Sequence, residues 1–267
     1  MGAMTLFARS ALTILALLAT PSLALAQPAQ PTQADPAAAA ASEAPAVTGA
    51  PLADPWEPFN RRVFAFNTVV DRAVLEPAAR GYRALTPRIA RQGVSNALSN
   101  LNQPVTVANA LLQGDVGRAA QSAGRFGVNS TIGVLGIFDV ATGMGLERRQ
   151  EDFGQTLGVW GVQPGIYLML PLIGPSTVRD VTGTVVDVGF QPMTYAQGED
   201  ATEGRIALGA LGALSAREAA IEQIEALRSN SPDPYVTVRS IYGQARESAV
   251  RNGRQDVEAL PDFGGPP

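Results

Sequence analysis

The sequence predicts an all-α protein that folds as a single helical domain. Capping side chains stand directly before a proline at Asp54-Pro55, Thr86-Pro87 and Asp233-Pro234, which is typical of helix starts. Gly114 followed by Asp115 indicates that one helix ends and the next begins. Between residues 54 and 252, apolar side chains also repeat at the spacing of a helix face. These roughly 200 residues are enough for one domain with its own core.

The predicted first helix carries polar side chains within its apolar face. Its apolar residues at helical spacing are Phe59, Val63, Phe66, Val70 and Val74. Asn60 and Asn67 are seven residues apart, so they share a face with Val63 and Phe64. Such a stripe suits the lining of an amphipathic passage that a headgroup and an acyl chain both cross. Alternatively, each asparagine caps a neighbouring helix end from within the core, and the sequence leaves both readings open.

One short segment is predicted to be extended. Residues 166–170 form an apolar run between Gly165 and Pro171, which indicates a short hairpin or an apolar loop near 165–173. Gly174-Pro175-Ser176 is predicted to be a turn and helix cap. Helical spacing then returns near the C-terminus at Ala219, Ile221, Ile224 and Leu227.

The chain has several short apolar runs in place of one long one. They cover residues 132–138, 166–173 and 206–216. As a helix the last run would measure about 16 Å, roughly half of the ~30 Å hydrocarbon core of a bilayer. Each run alone is explained as domain core, but together, with glycines that thin the side-chain cover, they fit insertion into one leaflet better. The predicted membrane-contact residues are Ile206, Leu208, Leu211 and Leu214.

The missing residue types exclude several functions. The 267-residue chain has no cysteine, histidine or lysine, so all 20 basic residues are arginines. Disulfides, thiolate nucleophiles and cysteine-ligated metals are therefore excluded. Ser130 and Ser176 also lack the base that a serine nucleophile requires. The formal net charge of −4 argues against a nucleic-acid-binding protein.

No catalytic, cofactor or metal site is predicted. Glu147, Glu151 and Asp152 could in principle perform acid–base chemistry on a sugar. Because they lie beside Arg148 and Arg149, we interpret them instead as a charge-balanced, solvated surface. The function is expected to be binding or transport rather than catalysis.

The two ends of the chain are predicted to lie outside the helical domain. An apolar stretch at residues 11–19 precedes Ala24-Leu25-Ala26, which has the pattern of a signal-peptide cleavage site before Gln27. The following segment is rich in proline, alanine and glutamine and has little to bury. The expected organisation is a signal peptide at 1–26, a disordered tether at 27–53, the helical domain at 54–252 and a flexible tail at 253–267.

Four separated blocks of the chain resemble one known family. Residues 54–62 read DPWEPFNRR and are followed by Phe64, Phe66 and Asn67. The later blocks are RFGVNS at 125–130, DFGQTLG at 152–158 and SPDPY at 231–235. In this order, over about residues 54–246, they closely resemble the VacJ/MlaA family.

The resemblance implies phospholipid transport at the outer membrane of Gram-negative bacteria. Members of the family form a ring of helices around a central amphipathic channel in the periplasmic leaflet. They remove phospholipids wrongly placed in the outer leaflet and pass them to a periplasmic lipid-carrier protein, with trimeric porins as a scaffold. The phospholipid is a transported ligand, and no cofactor is implied. The alternative is a non-conducting periplasmic or porin-associated protein that stabilises the envelope.

Residues in or beside the family-like blocks are predicted to line the lipid path. Arg125 and Arg179 could hold a headgroup phosphate through their guanidinium groups. They could instead form ion pairs with Asp139, Asp152 or Asp180, and the sequence leaves both open. The predicted lipid-path residues are Asn60, Phe64, Asn67, Arg125, Gly133, Leu135, Phe138 and Arg179.

The chain departs from the family at the site of lipid attachment. Members typically carry a lipobox cysteine just after the signal, whereas the corresponding place here reads Ala24-Leu25-Ala26-Gln27. We therefore expect an unlipidated protein at the periplasmic face of the outer membrane. Its attachment would come from the folded surface or from a partner.

Overall fold

The computed structural model describes residues 52–198 and 200–252. The predicted signal peptide, most of the tether and the predicted tail lie outside these residues. Within them the chain is mostly helical, as predicted, and includes one small hairpin. The helices are α1 (Glu57–Val70), α2 (Glu76–Leu85), α3 (Arg88–Leu101), α4 (Gln103–Leu112), α5 (Val116–Thr131), α6 (Val140–Gly143), α7 (Phe153–Val159), α8 (Val178–Phe190), α9 (Ala201–Ala219), α10 (Ile221–Asn230) and α11 (Pro234–Val250). A π-helical turn (Asp71–Leu75) joins α1 to α2, and a 3-10 turn (Pro192–Tyr195) follows α8.

The predicted helix starts are partly correct. Asp115 and Asp233 accept backbone N–H bonds from the first turns of α5 and α11, as N-cap residues do. The prediction was wrong for Asp54 and Thr86, because Trp56 and Pro87 are the N-cap residues of α1 and α3 and neither makes a side-chain cap. The Asp54 carboxylate is instead bound by Asn60, Tyr235 and Arg239.

The predicted hairpin is confirmed. Strands β1 (Tyr167–Leu170) and β2 (Gly174–Thr177) pair antiparallel, with Tyr167 opposite Thr177 and Leu170 opposite Gly174. The prediction of a turn and cap at Gly174-Pro175-Ser176 was wrong, because these residues belong to β2. Thr177 provides the helix cap instead, since its side chain accepts from the N–H of Asp180 at the start of α8.

The contacts between elements close into a circuit. From α1 they run through β1, β2, α8, α7, α4, α5, α3, α9 and α2, and then return to α1 through the π-helical turn. Helices α10 and α11 complete the fold, with α11 lying against α7 and β2. The backbones of α7 and α8 approach closely at Gly183 and Gly154. A Cβ atom on Gly183 would lie 2.2 Å from the amide nitrogen of Gly154, so this contact requires glycine.

The π-helical turn is held by a cluster of buried charges. Asp71 in this turn accepts bonds from Nε of Arg217 at 2.6 Å and from Nη2 of Arg228 at 2.6 Å. Glu76, at the start of α2, accepts from Arg228 at 2.9 Å. These bonds tie the junction of α1 and α2 to α9 and α10. The irregular turn is therefore fixed by residues about 140 to 160 positions away in the sequence.

The apolar core is small and rich in aromatic residues. Its buried cluster consists of Val63, Tyr167, Met169, Tyr235 and Tyr242. The tyrosine rings meet edge to face, with centroids 6.1 Å apart for Tyr167 and Tyr235 and 6.3 Å apart for Tyr167 and Tyr242. This cluster joins α1, the hairpin and α11.

Both predicted apolar helix faces differ from the observed ones. Among the apolar residues of the predicted α1 face only Val63 is buried, whereas Phe59 and Phe66 are about half exposed, as is Val74 in the π-helical turn. The second face is interrupted, because α9 ends at Ala219 and α10 begins at Ile221. Spacing alone identified the helices but did not show which side of them faces the interior.

Candidate functional site

Asn60 and Asn67 hold the first helix against the hairpin. The Nδ2 of Asn60 donates to the carbonyl of Tyr167 at 3.1 Å, and its Oδ1 accepts from the N–H of Met169 at 3.0 Å. Two turns further along α1, Asn67 donates to the carbonyl of Leu170 at 2.9 Å and accepts from the N–H of Leu172 at 2.7 Å. Asn60 is fully buried. Of the two readings of the sequence, these contacts match internal capping, with the hairpin backbone as the capped element in place of a helix end.

Phe64 lies beside this anchor, at the edge of the core. Its ring meets that of Tyr235 edge to face, with the centroids 5.7 Å apart. The side chain is only partly buried. Phe64 therefore adds to the packing between α1 and α11.

Arg125 matches the ion-pair reading. It is 1 % exposed, and its Nη2 lies 2.8 Å from Oδ1 and 3.0 Å from Oδ2 of Asp139. Nη1 of Arg125 donates to the Leu146 carbonyl and to the Thr142 hydroxyl. Burial by itself would raise the pKa of Asp139, but hydrogen bonds from Thr142, Asn129 and Arg125 outweigh it and lower this pKa to about 2. The pair joins α5 to the start of α6.

The 132–138 loop presents apolar side chains outward on a fixed backbone. Leu135 is 75 % exposed, and Ile132, Val134, Ile137 and Phe138 are also exposed. Val134 and Leu135 have φ angles of 50° and 56°, a left-handed conformation that β-branched or bulky residues rarely adopt. Gly133 and Gly136 are buried below them. The loop thus pairs a tightly packed inner side with an apolar outer side.

The predicted membrane-contact residues lie in α9 and are partly buried. Ile206, Leu208, Leu211 and Leu214 are all of intermediate burial, and α9 packs against α2 and α3. The more exposed apolar side chains lie elsewhere on the surface. Those more than half exposed include Trp56, Phe59, Val69, Val74, Leu85, Ile89, Leu111, Val116, Ile132, Val134, Leu135, Phe138, Trp160 and Val185.

The distribution of polarity is inverted relative to an ordinary water-soluble domain. Among the described residues, buried polar and charged side chains outnumber buried apolar ones. They come from nearly every element of the circuit and include Asn100, Gln103, Asn109, Asn129, Glu151, Gln155, Asp187 and Arg217. Large apolar side chains are exposed at the same time. The exposed apolar side chains of the 132–138 loop follow one another in the sequence, and it is contiguous apolar surface of this kind that marks an interaction with membrane or protein.

A cleft of about 470 Å³ opens between α11 and the loop that follows α7. Its charged lining comprises Arg179, Arg239 and Arg246 with Asp180 and Glu247. Apolar lining comes from Leu52, Val162, Pro164, Val236 and Val250. The size lies within the range of small-molecule sites, and the mixed lining suits an amphipathic ligand.

Two arginines of the cleft, Arg179 and Arg246, share a carboxylate partner. Nε of Arg179 donates to Oδ1 of Asp180 at 3.0 Å, and Nη2 of Arg246 donates to the same oxygen at 2.9 Å. Arg246 also binds both oxygens of Asp152, at 2.6 and 2.9 Å. Burial would raise the pKa of Asp180, but the charge of Arg246 and a hydrogen bond from Tyr242 help to lower it below its usual value. The Asp180 carboxylate is therefore charged at neutral pH.

Asp187 is a buried carboxylate of another kind. It accepts from Nδ2 of Asn109 at 2.7 Å and from the backbone N–H of Phe153 at 3.0 Å. Burial raises its pKa to about 6, and these two hydrogen bonds only partly oppose the shift. Asp187 joins α8 to α4 and to the start of α7.

Sequence reasoning missed several residues of the site. The interpretation of Glu151 as a solvated surface residue was wrong, because it is buried and bound by Arg118 at 2.7 Å. Arg239 and Arg246 are not among the site residues predicted from the sequence. Their spacing of seven residues, which places them on one face of a helix, was the available signal. Arg179, which was selected, joins them only in the folded chain.

The described residues lack two further kinds of site. No helix within residues 52–198 and 200–252 is long and apolar enough to cross a membrane. The same residues contain no group of three or more acidic side chains placed to hold a metal ion.

Comparisons with known proteins give a consistent result. A sequence profile described as MlaA lipoprotein matches residues 52–249. A protein of Rickettsia felis is 38 % identical over 199 residues, which cover 74 % of this chain and 78 % of that protein. A protein of Haemophilus influenzae named "Intermembrane phospholipid transport system lipoprotein MlaA" is 36 % identical over 217 residues, covering 78 % of this chain and 84 % of the relative.

A solved structure has the same fold. It is described as "Structural basis for maintenance of bacterial outer membrane lipid asymmetry" and aligns with a TM-score of 0.66 at 36 % sequence identity. The alignment covers 74 % of this chain and 99 % of that one.

Proposed function

Because this chain belongs to the MlaA lipoprotein family, we propose that it takes part in intermembrane phospholipid transport and maintains the lipid asymmetry of the outer membrane. In this role it removes phospholipids misplaced in the outer leaflet and passes them towards the periplasm. The single observation that carries the proposal is the distribution of polarity among the described residues, in which many polar side chains are buried and many large apolar ones are exposed.

The physical argument concerns the cost of moving a charged headgroup through hydrocarbon. An unpaired charge or polar group in an apolar medium is strongly unfavourable. Fixed polar side chains within the circuit lower that cost, because they replace the water that the headgroup leaves behind. The exposed apolar side chains match the acyl chains around the protein. The channel through the circuit is part of this proposal.

Attachment to the membrane is proposed to occur through the folded surface. The chain has no cysteine to carry an acyl group, although the family is described as a lipoprotein family. Large exposed side chains such as Phe59, Leu135 and Trp160 supply an apolar surface in its place. The protein would lie in the periplasmic leaflet without spanning the bilayer.

Two protein partners are proposed on the basis of the family alone. One is a soluble periplasmic carrier that receives the lipid, and the other is a trimeric porin that serves as a scaffold. The second candidate function is a porin-associated protein that stabilises the envelope without conducting lipid. The exposed apolar surface supports it equally, because that surface could cover a protein as well as a membrane.

Mass spectrometry of the protein extracted in mild detergent separates the two functions. We expect stoichiometric phospholipid that exchanges with isotopically labelled phospholipid added as vesicles. A protein that is free of phospholipid and does not exchange it would support the non-conducting function and contradict transport. The spectrum also reports the mass of the chain, where an added diacylglyceryl group would contradict attachment through the folded surface.

A further inference from the structure

We propose that the cleft between α11 and the loop after α7 binds the phosphodiester of a glycerophospholipid headgroup through Arg179, Arg239 and Arg246. This inference rests on the proposed transport function and names a holding point for its ligand. The three arginines come from two separate parts of the chain and meet at one cavity of about 470 Å³. Arginine suits a phosphodiester because its planar guanidinium donates two parallel N–H bonds to a pair of oxygens.

Positively charged side chains outnumber negatively charged ones in the lining of the cleft. The cleft is lined by three arginines and by two acidic residues, Asp180 and Glu247. Asp54 and Asp152, which pair with Arg239 and Arg246, do not belong to the lining. Glu247 lies 3.5 Å from Arg251. An anion that enters the cleft therefore meets three guanidinium groups and two carboxylates, one of which, Asp180, is already paired with Arg179 and Arg246.

The arginines retain donors beyond their ion pairs. Arg246 binds Asp152 and Asp180 through its two terminal nitrogens, while its Nε has no hydrogen-bond partner in the described part of the chain but is buried, so an anion reaches it only after the side chain moves. The bonds recorded for Arg239 all leave from Nη1. Arg179 is itself held by Asp180 and by the carbonyl of Val162 at 3.4 Å. Held arginines of this kind can bind an anion without ordering their side chains first.

The rest of the lining favours a lipid phosphodiester over free phosphate. Val162 and Val236 line the cleft and are themselves exposed, so an apolar surface continues from the cleft to the outside. Trp160 and Val178, close by in the sequence, are exposed as well. Gly161 leaves the loop open, since nothing lies within 4 Å of the position of a Cβ atom there. The phosphate would bind at the arginines while the glycerol and acyl carbons follow the valines.

The test adds one negative charge at the cleft without touching a buried ion pair. Gln244 is exposed and lines the cleft, so Gln244→Glu places a carboxylate near the proposed phosphate. Gln223→Glu on α10, also exposed and outside the lining, is the matched control. The probes are dihexanoyl-phosphatidylglycerol below its micelle concentration, inorganic phosphate, and octyl glucoside as an amphiphile without phosphate. Calorimetric titration measures the affinity of each.

We expect dihexanoyl-phosphatidylglycerol to bind the wild type and Gln223→Glu equally, and Gln244→Glu roughly three- to tenfold more weakly. A steric variant, Ser240→Trp, should also weaken binding, because Ser240 is exposed and lines the cleft. Unchanged affinity in both cleft variants would overturn the proposal. Octyl glucoside that binds as tightly as the phospholipid would also overturn it, because no phosphate would then be needed. Inorganic phosphate that binds as tightly as the phospholipid would overturn it as well, because the cleft would then be a site for free phosphate.

Failure of this inference and failure of the transport function give different results. If the wild type carries exchangeable phospholipid and both cleft variants carry and bind it equally well, only the cleft is wrongly assigned. If the wild type carries none, the transport function is contradicted. The titration with the short-chain lipid still decides whether the cleft binds a phosphodiester.

Discussion

Nη2 of Arg125 bridges both carboxylate oxygens of Asp139, at 2.8 and 3.0 Å. The arginine is almost completely buried. The two residues are 14 positions apart and belong to the end of α5 and the start of α6. Asp139 also caps α6 through the N–H of Thr142. One ion pair thus fixes the geometry below the apolar 132–138 loop.

Replacing Arg125 should strongly destabilise the fold. Arg125→Met leaves the Asp139 carboxylate without its cation, and breaking a buried pair from one side typically costs about 3–5 kcal/mol. Urea denaturation followed by far-UV dichroism measures this loss. The control is Arg88→Met at an exposed position of α3, which should change stability by less than about 0.5 kcal/mol. Equal stabilities of the two variants would show that the pair contributes nothing.

Two glycine substitutions should have opposite effects. Gly136 has a φ of +88°, and a Cβ atom there would lie 2.4 Å from Cβ of Asn100. Gly136→Ala should therefore lower the free energy of unfolding by about 2 kcal/mol or more. Gly127 lies in α5 with nothing within 4 Å of a Cβ position, so Gly127→Ala should raise it by about 0.5–1 kcal/mol. Thermal melting of both variants checks the two signs, and a stabilised Gly136→Ala would contradict the observed loop conformation.

The exposed loop and helix α9 should respond differently to an added charge. Leu135→Asp puts a carboxylate on an exposed apolar side, where insertion of a charge costs roughly 2.5–3.5 kcal/mol at full depth and less near the interface. Liposome flotation should weaken while the melting temperature stays unchanged. Leu208→Asp, at a half-buried position of α9, should instead lower the melting temperature.

Ser229→Asp, at an exposed position of α10, is the control for the added charge alone. It should alter neither flotation nor melting. If Leu135→Asp floats like the wild type, the 132–138 loop faces water and the membrane surface lies elsewhere. If Leu208→Asp melts like the wild type and loses flotation, α9 contacts the membrane as its sequence predicts.

Stability should fall as the pH rises from 5 to 7 because of Asp187. Its pKa is about 6 in the folded chain, above the value of about 3.9 for an unperturbed aspartate. The folded state therefore binds the proton more tightly, so this stabilisation is complete below about pH 3.9 and is lost as the pH rises through the folded pKa of about 6. The pKa of Glu151 is also raised, by burial, so the comparison needs a variant.

Asp187→Asn isolates the contribution of this carboxylate. An asparagine Oδ1 can still accept from the N–H of Phe153 and from Asn109, but it does not titrate. Denaturant unfolding at pH 5 and pH 7 should show a smaller loss of stability in the variant than in the wild type. The chain has no histidine, so no imidazole titrates between pH 5 and pH 7. Identical pH dependence in both proteins would assign the effect to other groups.

The sequence predicted the elements better than their orientation. The caps at Asp115 and Asp233 are local, because each side chain binds an N–H within three residues of itself. Phe59 and Phe66 follow the same helical period as Val63, yet only Val63 is buried. A period of 3.6 residues identifies an apolar helix face, but it does not show whether that face packs in the protein core or is exposed at the protein surface.

The candidate site shows the same division. Arg179 was selected because it lies near a family-like block, whereas Arg239 and Arg246 lie about 60 residues further along and gave no local signal except their spacing. The two readings of Asn60 could not be separated in the sequence either. Its partners Tyr167 and Met169 are more than 100 positions away, so only the folded chain brings the amide to the hairpin.

The sequence by itself determined the helical class, the hairpin and the family, because caps, spacing and ordered motifs act over short distances along the chain. It also excluded acylated cysteine and histidine chemistry by composition. Only the tertiary structure decided which arginines meet at the cleft and which asparagines hold the hairpin. It alone showed that many polar side chains are buried while many large apolar ones are exposed, because burial depends on contacts between residues far apart in sequence, such as Arg217 with Asp71.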